Sequence, residues 1–470
     1  FDVVIGNPPY VQSQLSEKEK KYYQTYYKTI EGKPDLYRLF IEKSIYLMND
    51  NGIMSFITPN TFLTIPSAKK LRDFIRAKAS ICSVINFRGS VFEDANVNTS
   101  IFVLEKGKEI DKTLFITDNS STPNAETLSE AISNSVFMTY DILINSDKID
   151  CVQNEKFSTI IKKINKTNQL LSDLADYTIG LQVYHNSIHS KEDITNRIYH
   201  SKTKIDETYI PEIGGKDIAR YNPILRTKEY VSYGEWCYNK PDIKYLTGKR
   251  ILMREIPSKD NLICSLYEGA GVGSKAVIIV KSDENIIYEL LAILNSRLIG
   301  FYINNTTEKG TQQLFPRISL TSTKKIPIKL SGNNVISDKT QQLLMFNADL
   351  QSKRQRFLKR LSDNITVTTN KGFKPLVKSL VKSLVKPLVI TNALERFEEL
   401  EFKQFLAELQ KQKITLSLKQ QDEWEEYFND YKSECINFVQ QIAETDKEID
   451  RMVYALYGLT EEEIEIVERK

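Results

Sequence analysis

The feature that most constrains how this sequence folds is a short apolar run followed by two consecutive prolines. The run Phe1–Ile5 leads through one glycine into Asn7-Pro8-Pro9-Tyr10. Valine and isoleucine favour β-structure, and each proline fixes its own φ angle and holds the preceding residue extended. The sequence therefore predicts a strand that ends in a rigid loop carrying an aromatic side chain.

The same loop can bring two hydrogen-bond acceptors together. The Pro8 nitrogen carries no hydrogen, so the Asn7 side-chain oxygen and the Pro8 carbonyl can both point at one incoming amino group. This pattern favours chemistry on an NH2 group. The alternative is a proline turn after a strand, with no chemical role.

In this motif the sequence resembles the amino-methyltransferases that use S-adenosylmethionine, in particular the adenine-specific DNA methyltransferases of restriction–modification systems. The resemblance implies that Asn7 and Pro8 accept hydrogen bonds from the N6 amino group of an adenine. It also implies that Tyr10 stacks on that base after the base has been flipped out of the duplex. The implied cofactor is S-adenosyl-L-methionine, and the implied partner is double-stranded DNA.

Three later segments extend the resemblance. Pro34–Glu42 predicts the start of a helix, Asn51–Leu63 predicts a glycine-capped strand that ends at a proline, and Val91–Leu104 follows them. In the last segment, Phe92 matches the position of a second aromatic side chain against the flipped base, and a core phenylalanine at a strand end is the alternative. The order of the segments, with the catalytic loop before a recognition region, resembles the gamma arrangement of these enzymes.

The resemblance also implies a cofactor site outside this sequence. In the gamma arrangement the glycine-rich cofactor loop precedes the catalytic loop, and only six residues precede Asn7. We therefore expect the cofactor-binding residues upstream of Phe1, in another half of the enzyme, and a fused nuclease would also lie upstream. The glycine-rich stretch Glu268–Lys275 matches neither a P-loop nor a dinucleotide turn, so it is predicted to be a hairpin tip.

Length and charge divide the chain into four parts. With 470 residues the chain exceeds one ordinary domain. We interpret 1–150 as the C-terminal part of a methyltransferase catalytic domain and 151–330 as a DNA target-recognition domain. A basic helix with a low-complexity linker (331–390) and a helical C-terminal region (391–470) follow. The expected fold class is α/β, with the C-terminal part of a parallel, Rossmann-like methyltransferase sheet, then a mixed α/β domain, then helices.

The charge changes sign along the chain. Basic residues outnumber acidic ones by 7 over 151–330 and by 8 over 331–390, whereas acidic residues are in excess by 10 over 391–470. The segment 341–361 predicts a long basic amphipathic helix, and the four-residue repeat over 375–390 is interpreted as a linker. The acidic helices are expected to pack against the basic helix and to stay away from DNA.

The basic middle of the chain resembles a TaqI-like target-recognition (specificity) domain. Lys216, Arg220, Arg250 and Arg254 are candidates for contacts to DNA phosphates, which position a protein on the duplex. The alternative is a surface charge that only keeps the domain soluble.

The remaining side chains predict no further chemistry. Around His185 and His189, the stretch 182–190 carries no carboxylate at metal-ligand spacing, so no metal is expected. These two histidines and His200 are predicted to be polar loop residues that can contact phosphate or bases. The five cysteines are odd in number and widely spaced, which is typical of a reducing cytoplasm. No apolar run is long enough to span a membrane.

Together these features predict part of an adenine-N6 DNA methyltransferase from a restriction–modification or phage-defence protein. Two alternatives stay open. One is a DNA-recognition module without catalysis, because the cofactor half lies outside the sequence. The other is a protein glutamine methyltransferase, whose family also uses Asn-Pro-Pro-Tyr, although the long region after the catalytic segment argues against it.

Overall fold

The N-terminal part of the chain is built on a six-stranded sheet. The computed structural model describes residues 1–10, 15–30, 35–87, 89–92, 97–118, 120–133, 135–139, 149, 155–224, 229–258, 260–306, 317–364 and 388–468. The strands of this sheet are β1 (Val3–Gly6), β2 (Ile53–Pro59), β3 (Ala79–Phe87), β4 (Thr99–Lys106), β5 (Lys112–Asp118) and β6 (Val136–Thr139). Their order is β1-β2-β4-β3-β5-β6. The α/β class is confirmed, but the sheet is mixed and not parallel throughout, because β4 runs antiparallel to both of its neighbours.

Two helices cover one face of this sheet. The helices of this part are α1 (Glu17–Tyr26), α2 (Leu36–Leu47), α3 (Lys69–Lys78) and α4 (Ala125–Ser133). Buried side chains of α2 and α3, such as Ile41 and Leu71, form one hydrophobic core with Phe56 and Phe102 of the sheet. Because side chains alternate along a strand, the odd-numbered residues of β2 lie on the opposite face.

The opposite face of the sheet is apolar and open at β1. Val3 is paired in register with Ile53, and Ile5 with Ser55, so these residues share that face. Val3 is 64% exposed and Ile5 is 80% exposed. β1 is also the edge strand of the sheet, since it pairs with β2 alone among the described strands.

The middle of the chain contains two four-stranded sheets. Its helices are α5 (Glu155–Asn165), α6 (Leu171–Leu174) and α7 (Lys191–Asn196). Its strands are β7 (Ala175–Ile179), β8 (His200–Ser201), β9 (Tyr209–Ile213), β10 (Glu229–Ser232), β11 (Arg250–Arg254), β12 (Cys264–Tyr267), β13 (Val272–Gly273) and β14 (Val277–Ser282). One sheet has the order β13-β9-β10-β8 and the other β12-β11-β14-β7.

The glycine-rich stretch joins these two sheets, so the predicted hairpin tip is wrong. β12 and β14 lie on opposite sides of β11 and do not pair with each other. Between them, β13 pairs with β9 of the other sheet. The Gly273 carbonyl accepts the Leu181 N–H at 2.7 Å, and a side chain at Gly180 would overlap the backbone there. The glycines permit this close approach of two backbones.

The chain after β14 is helical. Its helices are α8 (Ile287–Asn295), α9 (Arg297–Thr306), α10 (Leu320–Lys324), α11 (Val335–Asn364), α12 (Asn392–Glu395), α13 (Phe402–Lys411), α14 (Leu418–Tyr457) and α15 (Glu461–Glu468). They include the predicted helical region 391–470 and also three helices, α8 to α10, that belong to the middle part. α11 contains the predicted basic amphipathic segment. Most of the repeat predicted to be a linker, up to residue 387, lies outside the described residues.

The hydrophobic cores cross one of the predicted boundaries. A single core joins residues of the middle part, such as Ile251 and Leu291, to Ile449 and Tyr454 of α14. The Tyr457 hydroxyl donates to the Pro327 carbonyl at 2.9 Å. The end of α14 therefore packs as part of the middle domain and not as a separate unit.

The opposite charges of α11 and α14 meet, as expected from the sequence. Lys339 lies 2.6 Å from the Glu448 carboxylate, and Lys353 forms an ion pair with Glu434. Arg360 lies over the ring of Tyr427 at 5.0 Å. The acidic helix thus neutralises part of the basic helix within the folded chain.

Candidate functional site

Four strands of the six-stranded sheet end along the same edge. β1 is parallel to β2, and β5 is parallel to β3. β2 and β3 point the same way, because each is antiparallel to β4 between them. In open α/β sheets, ligands bind outside the carboxyl ends of the strands. The Asn7-Pro8-Pro9-Tyr10 loop directly follows β1 and therefore lies at this carboxyl edge.

The loop exposes its asparagine and anchors its tyrosine. Asn7 is exposed and Pro8 is buried. The Tyr10 hydroxyl donates to the Ile57 carbonyl at 3.0 Å, and its ring meets that of Tyr37 edge-on with 6.3 Å between centroids. Burial raises the pKa of Tyr10 to about 12, so the phenol stays protonated at neutral pH. The loop is held against β2 through the residue that follows the two prolines.

A buried amide pair lies at the ends of the neighbouring strands. Asn60 directly follows β2 and is 2% exposed, and Asn86 in β3 is 5% exposed. The Asn60 side-chain amide donates to the Asn86 side-chain oxygen at 2.9 Å, and the Asn60 backbone N–H donates to the Asn98 carbonyl at 2.9 Å. A buried amide is costly unless it is hydrogen-bonded, so the pair ties the two strand ends together.

Polar side chains continue across the sheet from this pair. Thr58 is in register with Ser100, Ser100 with Asn86, and Asn86 with Thr117. Residues in register on adjacent strands point to the same face. The hydroxyls of Thr58, Ser100 and Thr117 are buried without a hydrogen-bond partner among the described residues. The helix-covered face is thus polar near the carboxyl edge and apolar below it.

Sequence reasoning did not identify this polar row. Its members belong to four different strands, and only their register brings them together. A signal was nonetheless present, since Thr58 and Asn60 interrupt an otherwise apolar segment at the point where β2 ends.

A buried carboxylate fixes the chain that leads from the loop into the core. Glu42 of α2 is 2% exposed and accepts the backbone N–H groups of Lys28 and Thr29 at 3.0 and 2.9 Å. A buried Arg72 donates to the Phe62 and Ile65 carbonyls, both at 2.8 Å. These contacts position the backbone on both sides of the carboxyl edge.

Phe92 lies in a short turn after β3 and is half-buried. Its carbonyl accepts the Ser90 hydroxyl at 2.6 Å. Residues 88 and 93–96 on either side lie outside the described residues. Its contact with a flipped base therefore stays a prediction.

The four predicted phosphate contacts separate into two groups. Arg250 is fully buried and donates to the carbonyls of Leu246, Gly248 and Gly271. Arg220 binds Asp446 through two nitrogens at 2.8 and 2.9 Å and donates to the Asn295 carbonyl at 2.9 Å. The expected phosphate contacts do not fit these two arginines, because their guanidinium groups are engaged inside the protein.

The other two predicted cations remain at the surface. Lys216 is exposed, and Arg254 at the end of β11 is half-buried. The sequence does not show which of the four cations are buried, since all four residues occur in loops or short strands of similar composition.

One histidine lies among carboxylates. His200, Glu212 and Glu229 bring their ligand atoms within 4.8 Å of one another. However, Arg197 lies 2.8 Å from the Glu229 carboxylate and 4.0 Å from that of Glu212. A guanidinium therefore already supplies the positive charge at this cluster.

Two further properties concern the described part of the chain. Within the described ranges, none of the helices combines the length and apolarity needed to cross a membrane. Cys82, Cys237, Cys264 and Cys435 are free thiols.

Three family models match successive parts of the chain. Residues 1–92 match the Eco57I restriction-modification methylase model, and residues 210–328 match the TaqI-like C-terminal specificity domain. Residues 330–453 match a domain of unknown function, DUF8810. The chain thus carries a restriction–modification methylase region followed by a TaqI-like specificity domain, as the sequence resemblance predicted.

Curated relatives are restriction–modification proteins. A putative type II restriction enzyme and methyltransferase of Methanocaldococcus jannaschii, RM.MjaORFECS2P, is 26% identical over 381 residues, which cover 78% of this chain and 31% of that protein. The type II methyltransferase M.HincII of Haemophilus influenzae is 32% identical over 216 residues, or 43% of each chain. The chain spans less than half the length of both relatives.

Among solved structures, the type IIL restriction-modification enzyme MmeI in complex with DNA is 12% identical with a TM-score of 0.49. The match covers 95% of this chain and 57% of that chain.

Proposed function

We propose that this chain is the catalytic-loop and recognition part of an enzyme that methylates the N6 amino group of adenine in a specific DNA sequence. The observation that carries the proposal is the Asn7-Pro8-Pro9-Tyr10 loop at the carboxyl edge of the sheet, in the region that matches the methylase model. The specificity-domain match and the relatives named as methyltransferases support DNA as the substrate.

In this proposal, each loop residue has a separate task. Asn7 and the Pro8 carbonyl accept the two N6 hydrogens, which directs the nitrogen lone pair towards the incoming methyl group. Tyr10 stacks on the flipped adenine and offsets part of the free energy lost by unstacking it. The bond from its hydroxyl to Ile57 holds the ring in place. The gamma motif order remains a prediction.

S-adenosyl-L-methionine supplies the methyl group in such a reaction. The glycine-rich stretch Glu268–Lys275 joins two sheets of the middle domain and does not open a helix beside a strand end. We therefore propose that an upstream half holds the cofactor. Among the described strands β1 is an edge strand, and such a half would extend the sheet there and pack on the open face, where Val3 is 64% and Ile5 80% exposed.

DNA binding is assigned to the middle domain. Lys216 and Arg254 remain candidates for phosphate contacts. Because the partner is DNA and the four described cysteines are free thiols, we propose that the protein works in the cytoplasm.

The test is Asn7→Ala in the complete enzyme. Because the substitution removes one acceptor for the transferred nitrogen's hydrogens, methylation of duplex DNA should fall about 100-fold or more, with DNA affinity nearly unchanged. Incorporation of labelled methyl groups and fluorescence anisotropy measure the two quantities. Asn196→Ala, at an exposed position at the end of α7, is the matched control and should retain activity.

The outcomes separate the alternatives. Full methylation by the Asn7→Ala variant would contradict the proposal. A complete enzyme that binds DNA specifically but never methylates it would favour the recognition module without catalysis. Transfer of methyl groups to a protein glutamine and not to DNA would favour the other methyltransferase class.

A further inference from the structure

A cluster of seven aromatic and histidine rings lies at the edge of the small sheet β13-β9-β10-β8. Its members come from the loop before α7, from the start of β8 and from the turn after β10. They are Tyr184, His185, His189, Tyr199, His200, Trp236 and Tyr238. We call this set the ring cluster. It is not used by the methyl-transfer mechanism, and part of it precedes the residues that match the specificity-domain model.

Four rings of the cluster stack in series. His200 stacks on Tyr184 with 5.4 Å between centroids, Tyr184 on Tyr199 at 6.0 Å, and Tyr199 on Trp236 at 5.8 Å. The planes of Tyr199 and Trp236 are inclined by only 15°. Offset stacking of this kind contributes beyond the burial of area alone, so the series forms a stiff unit.

Hydrogen bonds fix the inner end of the stack. His200 Nε2 lies 3.2 Å from the Glu212 carboxylate. His200 Nδ1 and the Tyr184 hydroxyl are hydrogen-bonded to each other at 2.9 Å. The same hydroxyl oxygen accepts the Tyr199 backbone N–H at 2.9 Å.

The outer end of the stack is a tryptophan held at the surface. Trp236 is 36% exposed although its indole N–H donates to the Ser232 carbonyl at 3.2 Å. The indole also lies directly on the Gly234 backbone, where a side chain would overlap the ring. One ring edge and face are thus fixed by the protein while the remaining surface stays open to solvent.

A second stacked pair lies beside the first series. Tyr238 is 45% exposed and stacks on His185 with 3.9 Å between centroids and 12° between planes. The His185 backbone N–H donates to His189 Nδ1 at 3.3 Å, and the His189 ring meets both Tyr184 and Tyr199 edge-on. The ring cluster therefore presents two exposed, pre-positioned aromatic side chains.

We propose that Trp236 and Tyr238, backed by the ring cluster, form a DNA-contact surface that packs against nucleobases and deoxyriboses of the target duplex. The inference rests on the proposed function and adds a contact site to it. Rigid aromatic side chains give contact area at low entropic cost, because few rotamers are lost on binding. Apolar ring surfaces can also contact the thymine methyl groups that a duplex presents in its major groove.

Two observations favour DNA over a protein as the occupant. Both exposed rings lie within residues 210–328, the part that matches the specificity-domain model. Of the nearby exposed carboxylates, Glu235 pairs with Lys240 and Glu207 pairs with Lys204. Lys191, Lys202 and Lys216 of the same domain are exposed. Exposed cations in the recognition domain suit a polyanion.

The experiment uses intrinsic fluorescence, since the chain contains only two tryptophans, Trp236 and Trp424. Trp424→Phe, within the helical core, leaves Trp236 as the sole reporter. The probe is a duplex selected from a randomised pool by the full chain. Binding, followed separately by anisotropy of the labelled duplex, should quench Trp236 fluorescence. Trp236→Ala should weaken binding about tenfold or more.

Two further variants separate contact from folding. Gly234→Ala keeps the indole but displaces it from its place, so it should also weaken binding while the far-ultraviolet circular dichroism stays unchanged. Tyr46→Ala, at a 49% exposed tyrosine of α2, is the matched control and should bind as the parent chain does.

Each of the following three outcomes would overturn the inference. Normal DNA affinity of the Trp236→Ala variant, together with unquenched Trp236 fluorescence in the Trp424→Phe variant, would show that DNA binds elsewhere, and the proposed function would stand. A change in oligomeric state without a change in DNA affinity would assign the rings to a protein interface. Failure of the parent chain to select any duplex would defeat the proposed function together with this inference.

Discussion

At the scale of single residues, the cationic side chains of the protein fall into a buried group and an exposed group. Arg72 and Arg250 are among its largest fully buried side chains, and both donate to backbone carbonyls. A guanidinium can satisfy several carbonyls that secondary structure leaves unpaired, because it carries five N–H donors in a fixed plane. Such arginines stabilise loops and are not available to a ligand.

Arg250→Met should therefore reduce stability and not act on DNA directly. Three carbonyls lose their donor, and burial already lowers the pKa of this guanidinium to about 10. We expect the free energy of unfolding to fall by about 2 to 4 kcal/mol, measured by urea denaturation. Lys216→Ala is the surface control and should change stability little. If the Arg250→Met variant is as stable as the parent and its DNA affinity depends less on salt, the result would instead support the phosphate contact predicted from the sequence.

Asp450 should make stability depend on pH. Burial, and then the nearby Asp446, raise its pKa to about 6, although the Arg297 N–H opposes the shift. A carboxyl whose pKa is higher when folded stabilises the protein at low pH, and this contribution disappears as pH rises through about 6.

Asp450→Asn removes this titration while keeping an acceptor for Arg297. The variant should be more stable than the parent at about pH 8, by up to roughly 2 kcal/mol, and should differ less at about pH 4. Urea denaturation at both pH values measures the difference. An equal difference at both pH values would show that folding does not raise the pKa of Asp450.

At the scale of elements, α14 connects the helical region to the middle domain. Its Asp446 binds Arg220 of the middle domain, and its Asp450 accepts the backbone N–H of Arg297 at the start of α9. On the same helix, Glu434 and Glu448 form ion pairs with lysines of α11. The acidic charge of the C-terminal region is therefore used for packing.

The Arg220–Asp446 pair should show strong coupling in a double-mutant cycle. The pair has two parallel hydrogen bonds and lies partly buried, so each single alanine leaves a charge without its partner. We expect a coupling free energy of about 1 to 3 kcal/mol from urea denaturation of the four proteins. Lys204 and Glu207, an exposed ion pair, provide the comparison cycle and should couple weakly. Equal coupling in both cycles would contradict the assigned structural role.

At the scale of the whole molecule, the six-stranded sheet has one covered and one open face. α2 and α3 pack on the first, while Val3, Ile5 and Ile53 remain exposed on the second. Contiguous apolar surface of this kind marks an interaction site. In the proposed enzyme it faces the half that holds the cofactor.

Ile5→Lys should therefore prevent assembly of the enzyme. A charge on this face would have to be buried without a partner, which is costly. When the upstream half and this chain are expressed separately, the variant should fail to co-purify with that half and should lose methylation, while retaining DNA binding. Ile205→Lys, at a 63% exposed position in the middle domain, is the control and should assemble normally. Normal assembly of the Ile5→Lys variant would exclude this face.

The sequence by itself determined the features that depend on neighbouring residues. The strand followed by the loop at Asn7–Tyr10, the basic helix α11 and its acidic partner all follow from local propensity, fixed proline angles and charge. The resemblance in the first 92 residues rests on the same kind of contiguous motif.

The tertiary structure decided what depends on residues distant in sequence. The Asn60–Asn86 pair, the polar row from Thr58 to Thr117 and the ring cluster exist only because strand register or stacking brings separate segments together. The antiparallel β4 and the role of Arg250 were likewise settled by packing. Hydrogen bonding and burial are properties of the three-dimensional surroundings, whereas the sequence records only which groups are available to make them.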